Sequence, residues 1–578
     1  MRISAVRFVM LLLLAAGMVP SATTQAAVGK VILGTTRITG TSVIGGGSYP
    51  VYNSIFTPYL KPDFDLVEAR RNSVSNQRAS KSSVISAALS IPAPPPNSVT
   101  NRRANVGFEG LTTIDTANTN GFVTTPPDQA LCAGHGFVLE AINLSLVVFS
   151  DTGTRLSVPE SLNAFFAADP NTTYLSDPRC YYDRPTQRWF VSITNVLDFN
   201  TGRSNLFLAV SQTSDPRGAF FIYSIDTTED GLNGTPSNSG CSTASPCFGD
   251  QPTLGADAYG VYLTTNEFGV FANVFNGAEI YAISKAALEA GTASSLVHIG
   301  NLRLAEGIAY SVQPASSPDL SEEEGSGVEY FLSSLDFFGT LDNRIAVWAL
   351  ANTRSLNRPT PSVTLMNAVI NSEVYGQPAA VTQKAGPYPL GQSLGEPEEK
   401  IDSGDDRMQN VVFAGGHLWG GLNTIVSDGT STNAGIAYFD VRPNLTRNGL
   451  AATVRGQSYV SVAGNSVIYP GIAVTADGTA AAAFTVAGPS YFPSAAYARL
   501  TPSRATSVNI VAAGAAPQDD FSGYPEFGGA GTARWGDYSW GVADGESLWL
   551  ATEYIPGGID SYSYFTDFGT FVYKVNLQ

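Results

Sequence analysis

The sequence predicts an all-β protein, a seven-bladed β-propeller closed by an N-terminal strand. Charged residues make up only 14% of the 578 residues, whereas Gly (57), Pro (34), Tyr (25) and Phe (30) are plentiful. That balance is typical of loop-rich β proteins. An eight-residue apolar segment that ends on a polar residue recurs along the chain, and Asp-Gly pairs at 477–478 and 544–545 mark tight hairpin turns, because glycine accepts the positive φ that such turns require.

The N-terminal region divides into two predicted segments. Arg2 and Arg7 precede an apolar run over 8–19, and small residues follow near Ala26. Residues 1–26 are therefore predicted to be a signal peptide. A buried N-terminal helix is the alternative, and the run is too short for a membrane span. Residues 27–104 turn Ser-, Asn- and Pro-rich, which predicts a poorly ordered leader or linker. The mature protein is expected to be secreted, periplasmic or at the cell surface.

The propeller domain is predicted over 105–578, where the repeat is best preserved in its last copy, RWGDYSWGVADGESLWLATE at 534–553. The polar residues that end the seven copies are Asn143, Asn195, Asn266, Asp336, Asn423, Thr485 and Glu553. Most of these ends have an aspartate 15 to 18 residues upstream, at Asp128, Asp177, Asp250, Asp406 and Asp537. A third apolar strand follows most copies, so the repeating unit is a meander of three or four strands. Seven meanders arranged radially make a propeller, with six or eight blades as alternative counts. A long β-sandwich or two β-domains are the alternative folds.

The closing strand is predicted from the C-terminal end of the chain. The sequence stops at Gln578, directly after the third strand of the last copy. We therefore expect the outermost strand of that copy to come from upstream of the first repeat, with NVGFEGL at 105–111 as the candidate. Closing a ring in this way leaves no unpaired strand ends.

Four cysteines in an exported chain predict disulfides. Cys241 and Cys247 bracket a short loop and are expected to pair with each other, which leaves Cys132 and Cys180 as the second pair. Unpaired buried thiols are the alternative. The net charge of −17 argues against a nucleic-acid partner, because phosphate binding needs clustered Lys and Arg.

Several motifs carry a resemblance to a known group. RWGDYSW at 534–540, the segment 548–554, PPDQ at 126–129 and DPRCYYDRPTQRWF at 177–190 resemble a group of uncharacterised secreted bacterial proteins of the β-propeller type. The resemblance covers about residues 105–578 and implies the fold without an activity. The architecture is also distantly similar to sialidases, although their Asp-box, Ser-x-Asp-x-Gly-x-Thr-Trp, is absent from this sequence.

The propeller fold predicts where polar residues gather. The first strand of a blade begins on the face where the second strand ends, so the five upstream aspartates should meet the polar ends at one mouth of the central channel. Oxygen ligands suit Ca²⁺, and the predicted metal ligands are Asp128, Asp177, Asp250, Asp406 and Asp537. The alternative is that each aspartate caps its own turn.

The same face is predicted to carry ligand-binding residues. Guanidinium groups from different blades can clamp a carboxylate, and flanking indoles can stack on a sugar; alternatively, each arginine pairs with a neighbouring aspartate and the indoles pack in the core. The predicted ligand-binding residues are Arg179, Arg407, Arg534, Trp535, Trp540, Asn143, Asn195, Asn266 and Asn423. The histidines at 135, 298 and 417 are too scattered to suggest a zinc site.

Two main functions remain open from the sequence. One is a binding module that recognises an extracellular glycan or protein ligand through this face. The alternative is a glycoside hydrolase or lyase that acts on an extracellular polysaccharide, with Glu553, Asp537 and Tyr538 as the candidate catalytic residues. A purely structural surface module is the third possibility, and the sequence does not decide whether the protein is an enzyme.

Overall fold

The computed structural model describes residues 25–26, 28–45, 89–318, 325–335, 341–557 and 567–577. The predicted signal peptide up to residue 24, most of the predicted leader and Asp336 lie outside the described residues. The chain is mostly β, with 56% strand and 7% helix, so the prediction of an all-β protein is confirmed.

The strands of the described residues fall into antiparallel meanders, which we number 1 to 7 in chain order. Their strands are, in meander 1, Ala130–Gly134, Phe137–Ile142, Ser145–Ser150 and Glu160–Ser161; in meander 2, Thr173–Asp183, Arg188–Asp198, Arg203–Ser211 and Ala219–Asp226; in meander 3, Cys247–Ala256, Gly260–Gly269, Phe275–Ser284 and Ser294–Leu304; in meander 4, Gln313–Ser316, Val328–Ser334, Asp342–Ala351 and Thr364–Tyr375. Those of the later meanders are, in meander 5, Met408–Ala414, His417–Ser427, Thr432–Thr446 and Gly449–Val460; in meander 6, Ser466–Val474, Ala480–Gly488, Tyr491–Thr501 and Val508–Ala512; in meander 7, Trp540–Asp544, Ser547–Tyr554 and Gly569–Val575.

Meander 7 takes its outer strand from the N-terminal part of the chain. Val106–Thr112 pairs antiparallel with Gly569–Val575, with Phe108 opposite Val572. This is the segment in which the sequence predicted a closing strand. The side chain of Glu140 on meander 1 lies at the same junction, where its Oε2 accepts the Leu111 N–H at 2.9 Å.

The first strands of the meanders lie next to one another. Each first strand packs against the first strand of the next meander, and that of meander 7 packs against that of meander 1. In meanders 3, 4 and 5 the first strands also form short parallel bridges, which join the three into one fifteen-stranded sheet. Two cavities at the centre are lined by residues from the first strands, among them Ala133, Tyr181, Leu254, Ser316, Val412, Val474 and Gly541.

Burial follows from this packing. The second strands Gly260–Gly269 and Ala480–Gly488 are buried at every position, because a strand between two neighbouring meanders has no solvent face. Apolar side chains from adjacent meanders interdigitate in shared clusters; Phe190 of meander 2, for example, belongs to the same cluster as Leu263 of meander 3. The core therefore lies between the meanders rather than in one central mass.

Both predicted disulfides are present. Cys132–Cys180 joins the first strands of meanders 1 and 2, with a Cα–Cα distance of 5.5 Å. Cys241–Cys247 closes a short loop before meander 3, with a Cα–Cα distance of 5.2 Å. The predicted pairing is confirmed.

Parts of the predicted leader form edge strands. Val28–Thr36 pairs with the fourth strand of meander 3, and Ile38–Val43 with that of meander 2. Gln25–Ala26, the last two residues of the predicted signal peptide, pair with the fourth strand of meander 4. Val99–Asn101 runs parallel to the fourth strand of meander 6. The domain boundary at 104/105 stays a prediction, while these pieces are paired with the meanders.

The remaining elements are short. The other strands are Gly307–Ile308, Lys400–Ile401, Arg504–Ala505 and Thr532–Ala533; the α-helices are Thr113–Asn120, Leu162–Phe165, Lys285–Glu289 and Pro389–Leu394; the 3₁₀ helices are Thr353–Asn357, Phe521–Gly523 and Pro525–Phe527. No helix in the described part of the chain is long and apolar enough to cross a membrane.

Candidate functional site

The candidate site lies where the first strands begin, and the backbone there is unusual. A residue with positive φ occurs in five of the seven meanders, either just before the first strand or at a register shift within it, although non-glycine residues rarely adopt this conformation. These residues are Asp128 (43°), Asp177 (61°), Gln251 (49°), Ser311 (45°) and Tyr469 (55°). Such a conformation persists only where its surroundings hold it in place.

Asparagines in or directly after the second strands supply that support. The Oδ1 of Asn143 accepts the N–H of Asp177 at 2.9 Å, and that of Asn266 accepts the N–H of Ser311 at 2.8 Å. Asn423 does the same for the N–H of Tyr469, at 2.6 Å. Each of these three asparagines therefore ties its own meander to the positive-φ residue of the next one.

Asn195 occupies the same position in meander 2. Its amide nitrogen, in the orientation that satisfies its neighbours, donates to the carbonyls of Leu197 at 3.1 Å and Tyr174 at 3.3 Å. The sequence predicted all four asparagines as ligand-binding residues. The structure gives them contacts within the protein, and a role in ligand binding stays a prediction.

The ring aspartates also have partners within the protein. Asp128 accepts the Asn143 amide at 2.6 Å through Oδ2 and the Asp537 N–H at 2.7 Å through Oδ1. Asp177 accepts the Ser176 hydroxyl at 3.0 Å. Asp250 lies opposite Asn266 in the ladder of meander 3, and Asp406 is fully buried.

These aspartates do not form a compact metal-binding group. Among the described residues, the sets of three or more His, Cys, Asp or Glu with ligand atoms within 4.8 Å of one another contain none of the five. In addition to burial, the charges of Asp537 and Asp177 nevertheless raise the pKa of Asp128, and the charge of Asp177 raises the pKa of Asp537. The predicted calcium site at this ring stays a prediction.

Arg534 lies among these three carboxylates. Asp537, Asp128 and Asp177 raise the pKa of its guanidinium against the opposing effect of burial. Its side chain nevertheless makes no hydrogen bond and no ion pair with any described residue. The five N–H donors of this group are therefore available to a ligand.

The other two arginines are held differently. Arg407 forms a bidentate pair with Asp405, at 2.5 and 2.6 Å, while its buried Nη1 has no partner among the described residues. Arg179 is fully buried, with its guanidinium carbon 3.5 Å from the centroid of the Tyr538 ring. Thus Arg407 and Arg534 both act on Asp537, whereas Arg179 packs against aromatic side chains.

Three carboxyl groups at this site have raised pKa values. Burial raises the pKa of Asp128 well above its usual value, and Asp537 and Asp177 raise it further. Burial also raises the pKa of Asp537, although Arg534 and Arg407 oppose this. Glu553 accepts the Gly536 N–H at 2.7 Å, and burial raises its pKa well above the usual range.

The aromatic candidates are core residues in this structure. The Trp535 indole N–H donates to the Thr485 hydroxyl at 3.2 Å, and its ring packs with Ile401 and Tyr469. Trp540 is 8% exposed and lines one of the central cavities. The Tyr538 hydroxyl lies 3.5 Å from Asp177 Oδ2. Sugar stacking on these indoles stays a prediction.

Sequence reasoning missed two residues at the mouth. Gln251 Nε2 lies 3.4 Å from Asp537 Oδ2, next to Asp250, which the sequence had singled out. Tyr469 has a buried hydroxyl with no partner among the described residues. The Tyr469-Pro470 pair stands where other copies have an aspartate, and this was the only available signal.

Comparisons with known proteins give remote likenesses. No family model and no curated protein matches the chain. Among solved structures, an α-L-arabinofuranosidase from Podospora anserina is 8% identical, with a TM-score of 0.29 and coverage of 84% of this chain and 98% of that one. A microbial sialidase is 8% identical, with a TM-score of 0.31 and coverage of 76% and 73%.

A third solved structure, an exo-β-1,3-galactanase from Clostridium thermocellum, is 10% identical, with a TM-score of 0.26 and coverage of 68% of this chain and 78% of that one. At these identities and TM-scores the likenesses assign neither a family nor an activity.

Proposed function

We propose that this chain is an exported seven-bladed β-propeller that binds a glycan through the channel mouth where Asp128, Asp537 and Arg534 converge. The meanders are its blades, and Val106–Thr112 completes the last one. The proposal is supported by the unbroken succession of contacts between first strands, from meander 1 through meander 7 and back. It is also supported by the two disulfides, which suit the oxidising environment outside the cytoplasm.

The single observation that carries the binding function is the Arg534 guanidinium. The charges of three aspartates raise the pKa of this group, against the opposing effect of burial. Its side chain nevertheless has no hydrogen-bond or ion-pair partner among the described residues. A charged donor group in a largely buried position is costly unless it is satisfied. A ligand with acceptor oxygens would satisfy Arg534 and the unused Nη1 of Arg407.

The mixture of donors and acceptors favours a saccharide as that ligand. Arg534 and Arg407 offer N–H donors, while the Asp537 carboxylate offers acceptors beside them. Sugar hydroxyls both donate and accept hydrogen bonds, and a sugar carboxylate adds a group that guanidinium binds in bidentate fashion. An acidic glycan therefore matches the mouth better than a neutral one.

The experiment measures binding to immobilised alginate, polygalacturonate, sialyllactose and neutral dextran. We expect the acidic glycans to bind the wild-type protein and Arg534→Gln to lose about 10-fold or more in affinity, as expected for a lost charge-assisted hydrogen bond. Arg442→Gln is the matched control, because Arg442 is exposed on meander 5. Equal affinities for wild type and Arg534→Gln would contradict the proposal. Binding to a protein partner, with no binding to any glycan, would show that the ligand is a protein and not a glycan.

A second candidate function is glycoside hydrolysis, which the raised pKa values of Asp537 and Glu553 favour. A general acid near neutral pH needs such a raised pKa. If the protein is a hydrolase, Asp537→Asn and Glu553→Gln abolish release of reducing sugar from the same glycans while circular dichroism stays unchanged. If it only binds, wild type itself releases no sugar and Glu553→Gln keeps most of the affinity.

A further inference from the structure

A second cluster of buried ionisable groups lies in meander 3, apart from the channel mouth. It contains three glutamates, with exposed fractions of 0% for Glu229, 1% for Glu267 and 0% for Glu279, and one histidine, His298, at 5%. Glu229 comes from the loop before meander 3, Glu267 from its second strand, Glu279 from its third and His298 from its fourth. No local motif indicates that these four residues meet.

The geometry of three of them suits a shared metal ion. Ligand atoms of Glu229, Glu279 and His298 all lie within 4.8 Å of one another. Glu229 Oε1 and His298 Nε2 are 4.0 Å apart. Two ligands at about 2.1 Å from one zinc ion are at most about 4.2 Å apart, so this separation fits a common ion. His298 Nε2 is also in direct contact with Glu279 Oε2.

The charge of the cluster is not balanced by the protein. None of the three glutamates forms an ion pair with an Arg or Lys among the described residues, and His298 is the basic group next to Glu229 and Glu279. Burial and mutual repulsion raise the pKa of Glu229 to about 11, and burial raises that of Glu279 to about 7. Three buried carboxylates need either protons or a cation to offset this cost.

An unpartnered side chain on the same face of the sheet also points to a ligand. Thr265 lies directly opposite Glu279 in the ladder between the second and third strands, so both side chains project from one face of the sheet. Thr265 is 3% exposed, and its hydroxyl has no hydrogen-bond partner among the described residues. A hydroxyl in this position supplies a further oxygen beside the cluster.

We propose that Glu229, Glu279 and His298 form a structural binding site for a divalent transition-metal ion, with Zn²⁺ as the preferred ion. One imidazole nitrogen with carboxylate oxygens is a ligand set that zinc accepts. Glu267 is a positioning residue, held by the Asn238 amide at 2.6 Å and the Asn276 amide at 3.1 Å. On binding, the contact between His298 and Glu279 is replaced by two bonds to the ion.

The ion would tie the loop over 227–246 to meander 3. Glu229 belongs to that loop, and Cys241 of the same loop is bonded to Cys247 and lies 3.0 Å from Glu267 Oε1. The loop is thus held at one end by the disulfide and near the other by the proposed ion. This site is independent of glycan binding at the channel mouth.

The test is the metal content and thermal stability of the full chain. We expect about one zinc per chain by elemental analysis, and after chelation we expect Zn²⁺, but neither Ca²⁺ nor Mg²⁺, to raise Tm by at least about 2 °C. His298→Gln and Glu229→Gln should abolish this shift. His417→Gln is the matched control, because His417 is also hydrogen-bonded to a carboxylate, that of Asp440 at 2.5 Å, but lies outside the cluster.

A measurement on the wild-type protein covers the case in which the variants do not fold. Titration of the chelated wild type with Co²⁺ should produce visible absorption bands that saturate at one equivalent and disappear when Zn²⁺ is added. No zinc in the purified protein together with no Co²⁺ bands would overturn the proposal. A shift with Ca²⁺ equal to that with Zn²⁺ would also overturn it.

Discussion

Glu140 shows how one buried side chain makes the N-terminal strand sensitive to pH. Its Oε1 lies 2.5 Å from the Thr570 hydroxyl, which is also 2.9 Å from the Leu111 carbonyl. That hydroxyl has a single proton, so it cannot donate to both oxygens. A protonated Glu140 resolves the conflict, because the carboxyl then donates to Thr570 and Thr570 donates to Leu111. Burial accordingly raises the pKa of Glu140 to about 7.

This raised pKa predicts a loss of stability with rising pH. The folded protein holds the proton more tightly than the unfolded chain, whose value is 4.5. The contribution of protonated Glu140 to the free energy of unfolding is therefore fully present below pH 4.5. It is lost as pH rises through about 7, and the loss is about 3 kcal/mol. Glu140→Gln, which imitates the neutral acid, should remove this dependence in urea unfolding at pH 5 and pH 8. Exposed Glu526 supplies the control Glu526→Gln; equal pH dependence in wild type and Glu140→Gln would refute the assignment.

At the residue scale, the sequence predicted where a residue lies along its strand better than it predicted which groups that residue contacts. Asn143 directly follows a second strand, as predicted, whereas the strands that contain Asn266 and Asn423 continue for three and four more residues. The sequence did not reveal that each binds a backbone N–H in the next meander, because that contact depends on a positive φ some 34 to 46 residues further on. Glu229, Glu279 and His298 were missed for a similar reason, since three separate segments bring them together.

The asparagine contacts give a second prediction at this scale. Asn266→Ala removes the acceptor that holds the strained backbone of Ser311, so we expect a loss of about 1–3 kcal/mol in the free energy of unfolding. Asn433→Ala is the control. Asn433 lies near the start of the third strand of meander 5, and its side chain donates a local hydrogen bond to the Ser431 hydroxyl at 3.0 Å. Equal stability of the two variants would show that Ser311 does not need this support.

At the scale of elements, the pairing of Val106–Thr112 with meander 7 depends on a close approach at Gly110. A Cβ there would lie 2.4 Å from Glu140 Oε2 and 2.4 Å from Thr570 Oγ1. Gly110→Ala should therefore displace the strand, lower stability by about 1–3 kcal/mol and speed hydrogen exchange in 106–112. Gly40→Ala is the control, since a Cβ at Gly40 meets nothing within 4 Å. Unchanged exchange in Gly110→Ala would argue against a tight junction.

The sequence predicted some elements and not others. Hairpins could be predicted because Asp-Gly pairs favour the backbone geometry of a tight turn. At 544–545, for example, Gly545 has a φ of 63°. The edge strand Val28–Thr36 was not assigned a partner, because it pairs with Ser294–Leu304, far along the chain. Local pattern indicates that a segment is extended, but it does not indicate which exposed edge the segment joins.

For the whole molecule, the two disulfides should contribute unequally to the free energy of unfolding. Cys132–Cys180 spans 48 residues and joins two meanders, whereas Cys241–Cys247 spans 6. The entropy of the unfolded chain predicts stabilisation of about 4 kcal/mol for the long loop and about 2 kcal/mol for the short one. Cys132→Ala with Cys180→Ala should thus lower the urea midpoint more than Cys241→Ala with Cys247→Ala. The reverse order would show that the short loop is worth more than chain entropy allows.

The pairing of Val106–Thr112 with Gly569–Val575 also sets the order of events during biosynthesis. Leu111 and Thr570 are 459 positions apart, so at typical rates of synthesis the early strand waits roughly 25–90 s for its partner to be made. During that interval it is an unpaired edge, available to other extended segments. This pairing is a long-range contact, and such contacts form slowly. A nascent chain of this protein therefore needs protection for Val106–Thr112 until Gly569–Val575 has been made.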